Sequence, residues 1–241
     1  MKIQDLIRNV SHRPWEFPKN IWKYYQEWND ALFLHWEVPY ESLQELVPRE
    51  FILDSFEGKY YVSIVAFKMQ NIRPRNLPPL SLISNFYEIN VRTYIKVGDK
   101  QGVYFLNIEA GNSLAAFLCR KLSGLPYEKS EINRAEKLYS SNNYLKNFSL
   151  YAKFEILESE YVKKALDSWL TERYCLYLTS NNQFFRYEVH HQEWEIEPIQ
   201  IEELKVNYKI GKLVLKPDNL ILAHYSKGVN VLAWNKGKID H

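Results

Sequence analysis

One nine-residue stretch, Phe86-Tyr87-Glu88-Ile89-Asn90-Val91-Arg92-Thr93-Tyr94, sets a carboxylate, an amide and a guanidinium at every second position between aromatic rings. Alternate side chains of a β-strand share a face. Phe86, Glu88, Asn90, Arg92 and Tyr94 therefore point one way, and Tyr87, Ile89, Val91, Thr93 and Ile95 the other. Two uses fit such a row. A solvent-facing polar strip over an apolar core is the commoner one, by roughly two to one on the usual exposure of these residues. The polar lining of an enclosed strand interior would instead fix a small anionic or carbonyl ligand.

The rest of the chain is poorer in chemistry. His35 sits in an apolar strand pattern, where a core histidine with a satisfied nitrogen outnumbers a base or a ligand. His190 and His191 lie near Glu188, but adjacent strand residues face opposite ways, so no metal site is expected. There is no Ser-centred elbow and no Gly-rich phosphate loop, with only 8 glycines in 241 residues. No cofactor is expected.

The elements that must position the polar row follow from periodicity and punctuation. Residues 84–97 alternate, Gly98-Asp99 turns the chain, and 102–110 answer as the antiparallel partner. Segments 31–38 and 60–69 read as strands, with a short helix at Tyr40–Leu46 between Pro39 and Pro48. Residues 113–122 form a helix capped by Ser113 and stopped by Gly124-Leu125-Pro126. Further strands are expected near 132–140 and 147–157, and short ones after Tyr174. An amphipathic helix is expected in 160–173, with Val162, Ala165, Leu166, Trp169 and Leu170 on its apolar stripe. The proline-rich stretch 70–82 is expected to be a loop. Strands and helices are segregated, which predicts a mostly antiparallel α+β fold, one domain over 1–241. Tyr87, Ile89 and Val91 would then face outward, covered by the helix at 160–171 or the one at 113–122.

Composition narrows the function classes. Aromatic residues reach 15% (18 Tyr, 12 Phe, 7 Trp), which favours strands and suits small-molecule pockets. The charge of +2 comes from 31 basic and 29 acidic side chains without a basic stripe, so no nucleic acid is expected as partner. No run has the apolar length of a membrane span, and the N-terminus lacks a signal-peptide core. Cys119 and Cys175 predict reduced, buried thiols rather than a disulfide framework. A cytoplasmic protein is expected.

Several strings, HWEVP (35–39), Phe86–Tyr94, the helix ending at Arg120 with LPYEK (125–129), LTERYCLY (170–177) and His191–Trp194, recur in the order seen in one family. They resemble the YqjF-like family of bacterial proteins of unknown function over nearly the whole chain. That family is distantly similar to acetoacetate decarboxylase. The resemblance implies a strongly curved antiparallel sheet closing into a cone-like barrel around a small cavity. It also implies that Glu88 matches a site-lining strand glutamate, and that Arg120 with Gly124-Leu125-Pro126 matches the stretch leading to the reactive lysine. Tyr127 occupies the lysine's place. A phenol cannot form an iminium, and Lys129 follows Glu128, which keeps its ammonium charged. A lysine-dependent decarboxylase is therefore not expected.

What the resemblance implies instead is a cavity binding a small organic acid or aromatic metabolite, anchored by Arg92 and Arg120, with His35, Asn90 and Tyr94 as further ligand contacts. The alternative is an enzyme acting on a carbonyl or carboxylate substrate, with Glu88 and Tyr127 as its acid–base pair. A third reading is a protein-interaction module using the loop at 74–79. A raised Glu88 pKa in a closed cavity favours the enzyme, and a Glu88–arginine ion pair favours the binder. A homo-oligomer is compatible with the sequence.

Overall fold

Long runs of β-branched and aromatic residues make strands that can bury both faces, and such strands dominate the structure. The computed structural model describes residues 3–239, the side chains at 81, 82, 118, 119 and 122 excepted. Helix α1 (Ile3–Arg8) leads into β1 (Tyr24–Val38), α2 (Tyr40–Gln44), β2 (Ile52–Leu53) and β3 (Tyr60–Pro74). Then come α3 (Ser81–Ser84), β4 (Phe86–Val97), β5 (Lys100–Ala110), α4 (Ser113–Ser123) and β6 (Tyr127–Lys129). A meander of β7 (Glu131–Ala135), β8 (Leu138–Asn143) and β9 (Phe148–Ile156) precedes α5 (Ala165–Thr171). The chain continues through β10 (Cys175–Ser180), β11 (Gln183–His191), β12 (Glu197–Ile210) and β13 (Leu213–Leu215). It closes with β14 (Leu220–Ala233) and β15 (Gly237–Ile239).

Pairing runs β11-β10-β5-β4-β3-β1-β14, and β14 pairs back onto β11, so the path returns to its start as a ring. The pairings are antiparallel as expected, except that β10 and β6 each run parallel to β5. β12 leaves β14 after two paired residues and continues into β9-β8-β7 as a second sheet. On β1, Ala31 and Phe33 face the ring interior, while Leu32, Leu34 and Trp36 face the second sheet. The apolar run at 31–38 is near-continuous because neither face meets water.

The predicted hairpin is β4–β5. Its outer face is not covered by a helix, however. Ile89 and Val91 pack with Tyr139, Leu150, Phe154 and Tyr208 of the second sheet. Residues 132–140 are two strands and the turn between them, not one strand, and the stretch after Tyr174 contains two 14-residue strands. The proline-rich stretch is loop only in part. β3 runs on to Pro74, where a strand end tolerates the missing N–H. Cys175 is buried as expected, and the Cys119 thiol, also expected to be buried, lies outside the described residues. No described helix is long and apolar enough to cross a membrane.

Both longer helices are set by local capping. Asn112, not Ser113, caps α4: its Oδ1 accepts from the backbone N–H of Leu114 at 3.0 Å and of Ala115 at 3.1 Å. Gly124, at φ 78°, ends it in the left-handed conformation that glycine adopts without a Cβ penalty. α5 starts at Ala165 rather than 160, because the Asp167 carboxylate accepts from the Lys164 backbone N–H at 2.8 Å and fixes the first turn there. Val162 is left 82% exposed, outside the helix.

α5 packs on the inner side of the ring. Leu170 is buried, and half-buried Trp169 sits against Tyr94, Tyr61 and Phe56, at ring centroid separations of 4.7, 5.5 and 5.9 Å. Trp169→Ala is therefore expected to cost about 3 kcal/mol, the low end for truncating a core tryptophan because one edge stays wet. Urea unfolding of the two proteins measures it. A midpoint within error of the wild type would show that α5 is not held by this ring cluster.

Candidate functional site

β4 brings Glu88, Asn90 and Arg92 to the wall of a cavity of about 160 Å³ inside the ring, and β6 places Tyr127 in the same wall. The three strand residues are 3%, 7% and 8% exposed, so the row does not lie on a solvent-facing surface. The remaining wall is mostly apolar, with Trp28, Phe67, Phe105, Tyr187 and Trp194 among its aromatic residues. A few polar groups converging in an apolar hollow is the usual form of a small-molecule site.

Glu88 has no cation as a partner among the described residues. Tyr127 Oη donates to Glu88 Oε2 at 3.1 Å. Burial raises the Glu88 pKa to about 8, because a carboxylate loses its hydration there, and the hydrogen bonds from Tyr127 and Asn90 offset only part of that. At pH 7 the carboxyl is thus mostly neutral and can donate a proton as well as accept a hydrogen bond.

Arg92 is in the complementary position, a buried cation without a counterion. Its Nη2 donates to the Leu170 carbonyl at 3.1 Å, its Nε has no partner, and it joins no ion pair among the described residues. Asn90 Oδ1 is also buried without a partner.

The other predicted site residues divide. His35 and Tyr94 are fully buried beneath the cavity and do not line it. His35 Nδ1 lies 2.6 Å from Ser63 Oγ, which lies 2.5 Å from Tyr94 Oη. Tyr94 donates to the Leu170 carbonyl at 3.1 Å, the same oxygen that holds Arg92. Burial, with His224 and Arg92 nearby, drives the His35 pKa well below its ordinary value, so it is a neutral core residue. Arg120 stays outside the cavity. It is exposed, and its Nε donates to the Tyr127 carbonyl at 2.6 Å, with Nη2 on the same oxygen. It fixes the backbone that carries the phenol. Lys129 is exposed, and no lysine lines the cavity among the described residues.

Sequence reasoning missed Arg173. It is 3% exposed, lines the cavity, and pairs through Nη1 with Asp54 Oδ2 at 2.8 Å. A cation in the last turn of the expected 160–173 helix reads as a dipole partner at the surface, which concealed it. His191 and Trp194 also line the cavity. Their spacing was visible in the sequence, but their role was not.

Comparison with known proteins agrees with this architecture. The DUF2071 family, described as "Uncharacterized conserved protein", matches residues 25–230. The uncharacterized protein YqjF of Bacillus subtilis (strain 168) is 32% identical over 225 residues, covering 90% of this chain and 93% of its own. Among solved structures, an acetoacetate decarboxylase-like enzyme from Sphingomonas wittichii RW1 superposes with a TM-score of 0.59 at 11% identity, over 92% of this chain and 94% of its own. The enduracididine biosynthesis enzyme MppR complexed with pyruvate gives 0.61 at 7% identity, over 96% and 95%. At such identities the likeness is one of fold.

The buried carboxyl has a consequence for stability. Its folded pKa lies above the 4.5 of a free glutamate, so between those values the folded chain keeps a proton that the unfolded chain has lost. Stability therefore falls as pH rises from about 4.5 to 8, by at most ~1.4 kcal/mol per pH unit, and levels off above. Glu88→Gln removes this contribution while leaving all other titrations common to both proteins. The stability of the wild type relative to Glu88→Gln should drop by a few kcal/mol between pH 5 and 8 in urea titrations. A difference independent of pH would mean Glu88 titrates normally.

Proposed function

The chain belongs to the DUF2071 family, and from that premise we propose that it takes a small organic acid into the aromatic cavity and exchanges a proton with it through Glu88. The closed strand ring is read here as the barrel-like interior that encloses such a ligand. The observation that carries the reading is the Glu88 carboxyl, buried without a cation partner among the described residues, hydrogen-bonded to Tyr127 and held near neutrality. A general acid or base works best when its pKa lies near the working pH. An inert Glu88–arginine pair, the arrangement that would suit a pure binder, is not formed among the described residues. Support for a small acid comes from the unpaired Arg92 in the same wall and from the pyruvate held by the fold neighbour MppR.

The reaction does not pass through an iminium. Tyr127 stands where the related decarboxylases are expected to carry their lysine, and no lysine lines this cavity among the described residues. What remains available is proton transfer at a carbon or oxygen next to a polarised carbonyl, with Tyr127 orienting Glu88.

Two measurements test this. With pyruvate in heavy water, NMR should show methyl-proton exchange by the wild type slowed roughly 100-fold or more in Glu88→Gln, the usual loss for a general base. Equal rates in the two proteins would remove Glu88 from the chemistry. Separately, acetoacetate with borohydride should leave the protein mass unchanged apart from background on surface lysines. A stoichiometric reduced adduct on Lys129 would return the protein to the Schiff-base class.

A further inference from the structure

Two buried guanidiniums meet in this cavity, and the described residues offer them one carboxylate. Arg92 and Arg173 both line it, and their guanidinium carbons lie 5.9 Å and 4.9 Å from the centre of the same Tyr94 ring. Asp54 is committed to Arg173. Glu172 is taken up by Lys163 and the Trp194 backbone N–H, and Asp167 by Tyr161 and the Lys164 N–H. Glu88 is bonded to Tyr127. Each guanidinium also keeps a buried nitrogen with no partner, Nε of Arg92 and Nη2 of Arg173. Burial is what most disfavours the Arg173 charge, and the nearby Arg92 adds a smaller push in the same direction. A buried charge is costly unless it is paired and hydrogen-bonded, so the pair lacks one anion.

We propose that the ligand is a monocarboxylate whose carboxylate is held jointly by Arg92 and Arg173, a finer statement that rests on the small-acid reading above. Guanidinium nitrogens suit planar carboxylate oxygens, and two donors from separate residues fix its orientation as well as its charge. The charge count sets the valence. Arg173 and Asp54 cancel, a protonated Glu88 adds nothing, burial disfavours a charge on His191, and Arg92 leaves one positive charge. A neutral amide would leave that charge unpaired, and a dianion would add an uncompensated one. The same cavity is lined by Trp28, Phe67 and Trp194, with Trp28 5.8 Å from Phe67 and 6.2 Å from Trp194 between ring centroids, so the body of the ligand is apolar or aromatic.

The test uses the full chain at pH 6.5 with benzoate and hexanoate, their amides, and the dianions phthalate and adipate, followed by isothermal calorimetry and thermal melting. Arg92→Met removes an unpaired buried charge, so the ligand-free variant should melt at or above the wild-type temperature while binding either carboxylate at least 10-fold more weakly. Arg173→Met is made together with Asp54→Asn, so that no carboxylate is left unpaired, and the same weakening is expected. Wild-type affinity for the monocarboxylates should exceed that for amides and dianions by 10-fold or more. Amides that bind as well as acids would overturn the clamp and leave the small-molecule site standing. Dianions that bind as tightly would overturn the single-charge count, and carboxylate binding unchanged in both variants would place the anion elsewhere. If none of the six probes binds at millimolar concentration, the clamp and the small-acid reading both fail.

Discussion

A strand covered on both faces cannot send its polar residues to water, and β4 is such a strand. Its outer side, with Ile89 and Val91, is sealed by the second sheet, so Glu88, Asn90 and Arg92 are forced onto the ring interior. Everything particular about the site follows from that constraint. The aromatic walls give these groups little solvation, and the cavity is their only open side.

Within that row the two ionisable groups do not neutralise each other. Four residues along a strand separate their backbones by about 13 Å, with Asn90 between them. Glu88 resolves its burial by retaining a proton, whereas a guanidinium cannot shed one at any relevant pH. Arg92 is instead fixed by the Leu170 carbonyl and supported by the buried His35-Ser63-Tyr94 series. The result is a cavity with a neutral acid on one part of its wall and a cation on another. That polarity suits a ligand carrying an anionic group and a carbonyl.

Much of this was legible in the sequence where a short-range rule decides the outcome. The period-2 alternation of 86–94, the Gly98-Asp99 turn and the helix at 113–122 depend on neighbours within a few residues, and the family strings placed them in one fold. Long-range arrangement was not legible. Nothing in the local pattern of 131–156 or 197–210 says that these strands pair into a second sheet over β4, so helices were expected there instead. Arg120 and Arg173 are both cations near a helix end, and only tertiary packing separates the one outside the cavity from the one inside. Residues 160–164 show the apolar period of a helix, but the cap geometry at Lys164 and Asp167 starts it one turn later.

One carboxyl group, Glu88, stays protonated because the fold buries it among apolar and aromatic walls with no cation partner among the described residues. Carbon-13 NMR of protein labelled at the glutamate carboxyl carbons observes that group directly, with Glu88→Gln assigning its resonance. The expected result is a glutamate signal, absent in the variant, that titrates with a midpoint near 8. A Glu88 resonance that titrates near 4.5, the value of a free glutamate, would overturn the assignment.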